Sequence, residues 1–176
     1  MNKKETVKIL GYLRANYTLN PGTNADMVVA VWHDTFKEID YETVYEAVKE
    51  FTIKDRNHNF NQFPGVGQII GIISDWHKST LESSEEAWKK VMRSAGNGRN
   101  YSKEEFQKLP ENIQNALGVS SVLRELADAN SYEVQKIKHE FIEKYNKQLD
   151  KTALNMTTTG VPLLNNSNSE NKLLNN

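Results

Sequence analysis

Apolar side chains recur at spacings of three and four residues through almost every segment up to about residue 150. That spacing returns a side chain to the same face of an α-helix, so the chain is expected to be all-α. A helix with one apolar stripe must bury it against other helices, which calls for a bundle. The expected architecture is a small N-terminal helical bundle, then a second region of short helices with one long C-terminal helix, then a disordered tail.

Helix caps divide the first part. Asn2, with Glu5 three residues on, opens a helix to about Tyr17 whose inner face carries Val7, Leu10, Leu13 and Tyr17. The turn Asn20-Pro21-Gly22 follows, and Asn24 caps a second helix through Val28, Val31, Trp32, Phe36 and Ile39. Asp40 caps a third with Val44, Ala47, Val48 and Phe51 in its stripe. Residues 54–63 lack helical periodicity and read as a loop. Pro64 then starts a helix that is apolar around much of its circumference, through Ile69, Ile70, Ile72, Ile73 and Trp76. It belongs at the bundle centre, with a buried strand over 68–73 as the alternative, since isoleucine favours strands. Trp32, Phe36, Val48, Phe51, Ile69, Ile73 and Trp76 are the expected core.

Residues 79–84 interrupt the pattern and read as a hinge between domains at 1–80 and 81–151. Beyond it, Ser83 and Glu86 form a capping-box signature for a helix with Trp88, Val91 and Met92, expected to end at Gly96-Asn97-Gly98. Ser102 and Glu105 open another short helix with Phe106 and Leu109. Pro110 starts the next, with Ile113 and Leu117, and Gly118 supplies its left-handed close. A helix with Val122, Leu123 and Leu126 follows, and a long one from Ser131 carries Val134, Ile137, Phe141, Tyr145 and Leu149. Residues 152–176 are rich in Asn, Ser and Thr and read as a disordered tail, dispensable for folding and binding; its Leu163-Leu164 and Leu173-Leu174 pairs read as unstructured terminal residues, with docking points as the alternative.

The chemistry that is missing narrows function. There is no cysteine, hence no thiol nucleophile and no thiolate metal site. His33, His58, His77 and His139 share no ligand spacing, and each reads as a surface or loop residue. Gly65-Val66-Gly67 lacks the Gly-Lys-Ser/Thr of a phosphate loop and follows no strand. No catalytic residue, cofactor or metal is therefore expected: the protein is read as a non-enzymatic, stoichiometric binder. The longest apolar stretch, 66–76, is interrupted and far below the roughly 20 residues a bilayer requires. No signal-like apolar core follows Met1-Asn2-Lys3-Lys4, so the cytosol is the expected compartment. Charge is flat: residues 1–80 carry 9 basic and 10 acidic side chains, and residues 81–151 carry 12 of each. Strong DNA binding is not expected from such a balance. Lys89, Lys90, Arg93, Arg99 and Lys103 read as a solvated mixed-charge face, with DNA contact as the alternative.

The order of motifs carries a family resemblance over about residues 1–150. Its N-terminal marks are Lys3-Lys4-Glu5-Thr6-Val7-Lys8-Ile9-Leu10, the Trp32 helix, Asp40-Tyr41-Glu42-Thr43-Val44, and Phe63-Pro64. Later marks are Glu86-Ala87-Trp88, Glu105-Phe106-Gln107-Lys108-Leu109-Pro110, Ala116-Leu117-Gly118, Leu123-Arg124-Glu125 and Phe141. With these, the chain resembles the replicative-helicase loader and inhibitor proteins of phages of Gram-positive bacteria. One departure is Gly65, where the related sequences commonly have a second proline. The resemblance implies a phage DNA-replication protein in the bacterial host cytoplasm that binds a hexameric replicative helicase, inhibits it in solution and assists its loading at the origin. Other replication-initiation proteins are further candidate partners. It also implies that the C-terminal part carries much of the helicase contact and orders on binding, with Trp88, Phe106, Leu109 and Ile113 as candidate anchors, or else as the internal core of a second subdomain. A DNA-binding origin or transcription factor, and a pure antagonist of a host replication protein, are the rival readings.

Overall fold

The computed structural model describes residues 1–54 and 62–162. Among these there are eight helices and no strand: α1 Lys3–Asn16, α2 Ala25–Phe36, α3 Tyr41–Lys54, α4 Val66–Thr80, α5 Ser84–Lys108, α6 Glu111–Leu117, α7 Ser121–Asp128 and α8 Ser131–Thr158. The strand alternative at 68–73 is thereby set aside, because those residues lie in α4. The loop expected at 54–63 falls largely outside the described residues. Its end returns to the bundle at Gln62, which forms one isolated parallel bridge with Thr18, with the Phe63 amide donating to the Thr18 carbonyl at 3.3 Å.

The chain divides into two compact units, the first comprising Met1–Thr80 and the chain from Ala153 on, the second Leu81–Thr152. In the first, Asn2 and Glu5 complete a reciprocal capping box on α1, and the Asn24 side chain accepts from the Asp26 and Met27 amides at the start of α2. Asp40 accepts from the Thr43 amide at 2.8 Å. Each cap satisfies amides that the first helical turn would otherwise leave unpaired. The core joins Ile9 and Leu13 of α1, Phe36 of α2, Val44 and Val48 of α3, and Ile69 and Ile73 of α4. Phe51 and Trp76, both expected in that core, pack against it only partly buried. Trp76 lies at the edge because its indole Nε1 donates to Glu50 Oε2 at 3.0 Å, which keeps the polar end of the ring beside a carboxylate.

The second unit has a core of its own, built from α5, α6, α7 and α8. One boundary differs from expectation. Residues 96–98 do not end a helix, but α5 kinks shortly after them at Tyr101, whose backbone is non-helical (φ −126°, ψ 36°). A second helical stretch runs from there to Lys108, so the break expected before Ser102 is present and lies only a few residues later. Gly98 has another task, since a Cβ there would lie 2.7 Å from the Leu123 carbonyl oxygen. Glycine lets α5 and α7 approach backbone to backbone, and the helical hydrogen bonds carry the chain past it. Gly118 does close α6 as expected, at φ 85° with its amide donating to Gln114 at 2.8 Å. At the far end α8 continues to Thr158, past residue 152 where the tail was expected to begin, and Ala153 and Thr157 are buried. Residues 163–176, where most of that expected tail falls, lie outside the described residues.

Candidate partner-binding surfaces

The capping box of Ser83 and Glu86 sets the start of α5 and turns Trp88 inward. Its ring tilts against Phe141 of α8 at 5.5 Å between centroids, and Phe141 stacks on Tyr145 at 5.4 Å. Burial pushes the Tyr145 phenol above its ordinary pKa, and its oxygen accepts a hydrogen bond from Asn112 Nδ2 of α6 at 2.9 Å. Leu109 and Ile113, either side of Pro110, enter the same cluster, and Phe106 packs on it partly buried. The structure thus brings together all four candidate anchors, but toward the interior. Trp88 and Leu109 are 6% exposed and Ile113 is fully buried. In the closed unit they hold α5 and α6 on α8, the core role that the sequence left as the alternative. The large apolar side chains this unit exposes are others, chiefly Tyr101, Val119 and Tyr132.

An open apolar surface exists in the first unit. Between α2 and residues 62–66 runs a groove of about 490 Å³. Met27 and Val31, 65% and 50% exposed, form one wall; Phe63 and Val66 are on the other side, and buried Trp32 lies between. Trp32 meets Phe63 edge-on at 6.1 Å. None of the described residues that line it is charged. A smaller hollow adjoins it, sharing Leu19, Val28 and Phe63 and adding Val7 and Leu10 of α1. Val7 and Val31 were expected inside the bundle; both are exposed, because the apolar arcs of α1 and α2 are wider than the one face each can bury. Ile9, not Val7, completes the inner face of α1. The signal for this groove was in the sequence: Met27, Val28, Val29, Val31 and Trp32 cover more than one side of a helix.

Some of the charge is paired within each unit. Of the basic run on α5, Lys90 bonds Glu82 at 2.7 Å and Arg99 Nε donates to Asp128 at 2.7 Å. Lys138 pairs with Glu85 at 2.8 Å. His77, expected on the surface or in a loop, is instead 2% exposed in α4, and desolvation holds its imidazole below the usual histidine pKa. His33 is half-buried and His139 exposed, while His58 lies outside the described residues. Among the described residues no three His, Cys, Asp or Glu side chains come together in a metal-binding group, and no helix is long and apolar enough to cross a membrane.

Comparison with known proteins finds a family-model match over part of the chain. Residues 1–70 match the family model for the N-terminal domain of gp39, the helicase loader/inhibitor of Bacillus phage SPP1. That span covers α1, α2, α3 and the start of α4, and with them both walls of the groove. No curated protein and no solved structure matches the chain.

Proposed function

From a chain whose first 70 residues match the gp39 N-terminal domain family, we propose that this is a phage DNA-replication accessory protein acting in the bacterial host cytoplasm. It binds a hexameric replicative helicase, keeps it inactive in solution and assists its loading at the origin. The family match is the observation that carries this reading. The balanced charge and the pairing of Lys90 and Arg99 with acidic neighbours favour a protein partner over duplex DNA. With no cofactor in this reading, the protein acts stoichiometrically, by binding energy alone.

The helicase contact is assigned to the second unit. Because Trp88, Phe106, Leu109 and Ile113 sit in its core when the unit is closed, their role as anchors requires α6 to lift from α8. Two features favour such an opening: α6 is only 7 residues long, and Pro110 and Gly118 bound it. Fragments ending at Thr80, and spanning Leu81 to Thr152, test the division of labour. The second is expected to bind helicase and the first not. Trp88 is the one tryptophan of the second fragment, so fluorotryptophan placed there reports its surroundings by fluorine NMR. A shift of that resonance on adding helicase is expected. An unmoved resonance in a fragment that still binds would remove Trp88 from the contact. Binding by the first fragment alone would reverse the assignment.

A further inference from the structure

The outer side of α1 presents Lys3, Lys4, Val7, Lys8, Gly11 and Arg14 to solvent. At 3.6 residues per turn these fall within an arc of about 140°. The acid of this helix, Glu5, lies outside that arc, and its carboxylate accepts from the Asn2 amide at 2.7 Å in the capping box. Lys3, Lys4, Lys8 and Arg14 have no acidic partner among the described residues. Several of these choices cost the helix locally. Lys3 and Lys4 stand in the first turn, at the positive end of the helix dipole. Lys4 and Lys8, one turn apart, repel each other. Gly11 gives up helix propensity, and a Cβ there would meet nothing within 4 Å, so unlike Gly98 it makes room for no neighbour in the fold. The same face borders the apolar hollow of about 150 Å³: Val7, Gly11 and Arg14 line it, and through Val28 and Phe63 it continues into the groove along α2. Val7, Met27 and Val31 are each at least half exposed there.

We infer that this face of α1, with the hollow and the groove, docks an acidic amphipathic helix of a protein partner. Charge selects the occupant. A purely apolar segment would leave the cations of α1 unmatched, whereas carboxylates repeated one turn apart on a helix meet Lys4, Lys8 and Arg14 while its apolar side chains enter the hollow. Arg14, at the edge of the hollow, offers a carboxylate paired donors. Gly11 lets the backbone of that helix come close to α1, which gives the glycine the purpose it lacks within the unit. Other polyanions fit less well. A phosphate backbone gains nothing from Val7, Met27 and Val31, and a flat lipid surface does not enter a hollow. The surface lies in the first unit, so the inference stands apart from the helicase contact assigned to the second.

Methyl NMR of the full chain tests it, with Val7, Met27 and Val31 as reporters. The probes are a synthetic helical peptide with leucines on one face and glutamates flanking them, the same peptide with lysine for glutamate, a single-stranded oligonucleotide, and phosphatidylglycerol vesicles. The glutamate peptide is expected to shift all the reporters and the other probes to leave them in place. Lys4→Glu with Lys8→Glu is expected to weaken that peptide about tenfold or more. Gly11→Leu, which blocks the close approach, is expected to abolish binding while the melting temperature holds or rises, because leucine is the better helix former. Reporters that do not respond to the glutamate peptide would overturn the inference. So would equal binding of the lysine peptide, tighter binding of the oligonucleotide or the vesicles, or unchanged binding in the Gly11→Leu chain.

Discussion

Ile73 lies on the inner face of α4 with no exposed surface, among residues from all four N-terminal helices. Truncating it to alanine removes apolar contact and leaves a cavity, so a loss of about 2–5 kcal/mol is expected in denaturant unfolding of the first unit. An unchanged midpoint would mean α4 is misplaced. One helical turn on, His77 is buried on the same face. Its pKa is lowered by desolvation, so in the window below the unfolded value of about 6.5 the unfolded chain binds more protons than the folded one. Stability from the neutral imidazole is present at higher pH and is lost as pH falls below that value. The melting temperature should decline through this window more steeply in the native chain than in a His77→Gln variant. Parallel curves for the two would contradict the burial. The contrast with Ile73 shows what sequence carries at this scale: an isoleucine in a stripe announces its burial, whereas a histidine at the same spacing reads as surface until its neighbours are known.

At the scale of the element, helix starts were legible because they are local. Asn2 with Glu5, Asn24, Ser83 with Glu86, and Asp40 each contact backbone within three residues, and every one caps where expected. The α5 interior was not, because the reason for Gly98 lies on another helix. Glycine in a helix costs about 1 kcal/mol relative to alanine, so Gly96 and Gly98 together resemble a stop signal. The close approach of Leu123 is what favours glycine here. Gly98→Ala should therefore lower the melting temperature of the second unit despite alanine's better helix propensity, while Gly96→Ala, which meets open space, should raise it or leave it unchanged. A gain from both substitutions would show that α7 is not packed so tightly on α5. The same non-local logic governs the candidate site. Trp88 and Ile113 have the composition of interface anchors, and only Phe141 and Tyr145, far along the chain, reveal them as core.

For the whole molecule, the two cores give each unit the apolar content of a small independent domain. The expected weakness of the second half followed from its short helices, but α8 is long and α5 passes Gly96 and Gly98 before it kinks at Tyr101. The all-helical class was therefore legible from periodicity, while the passage of α5 through Gly96 and Gly98 and the return of the chain to the first unit after Thr152 were not. The groove on α2 was equally hidden: an apolar arc too wide for one face is visible in sequence, but which edge stays open depends on the packing of α1 and on Phe63. Function rests on the N-terminal match and on the order of motifs beyond it. Its most direct test is a binding titration of the full chain against purified phage and host replicative helicases and against duplex DNA, across a series of salt concentrations, with helicase unwinding followed in parallel. The account predicts a stoichiometric complex with a helicase that survives high salt, suppressed unwinding, and only weak DNA binding. Tight, steeply salt-dependent DNA binding without any helicase complex would contradict it.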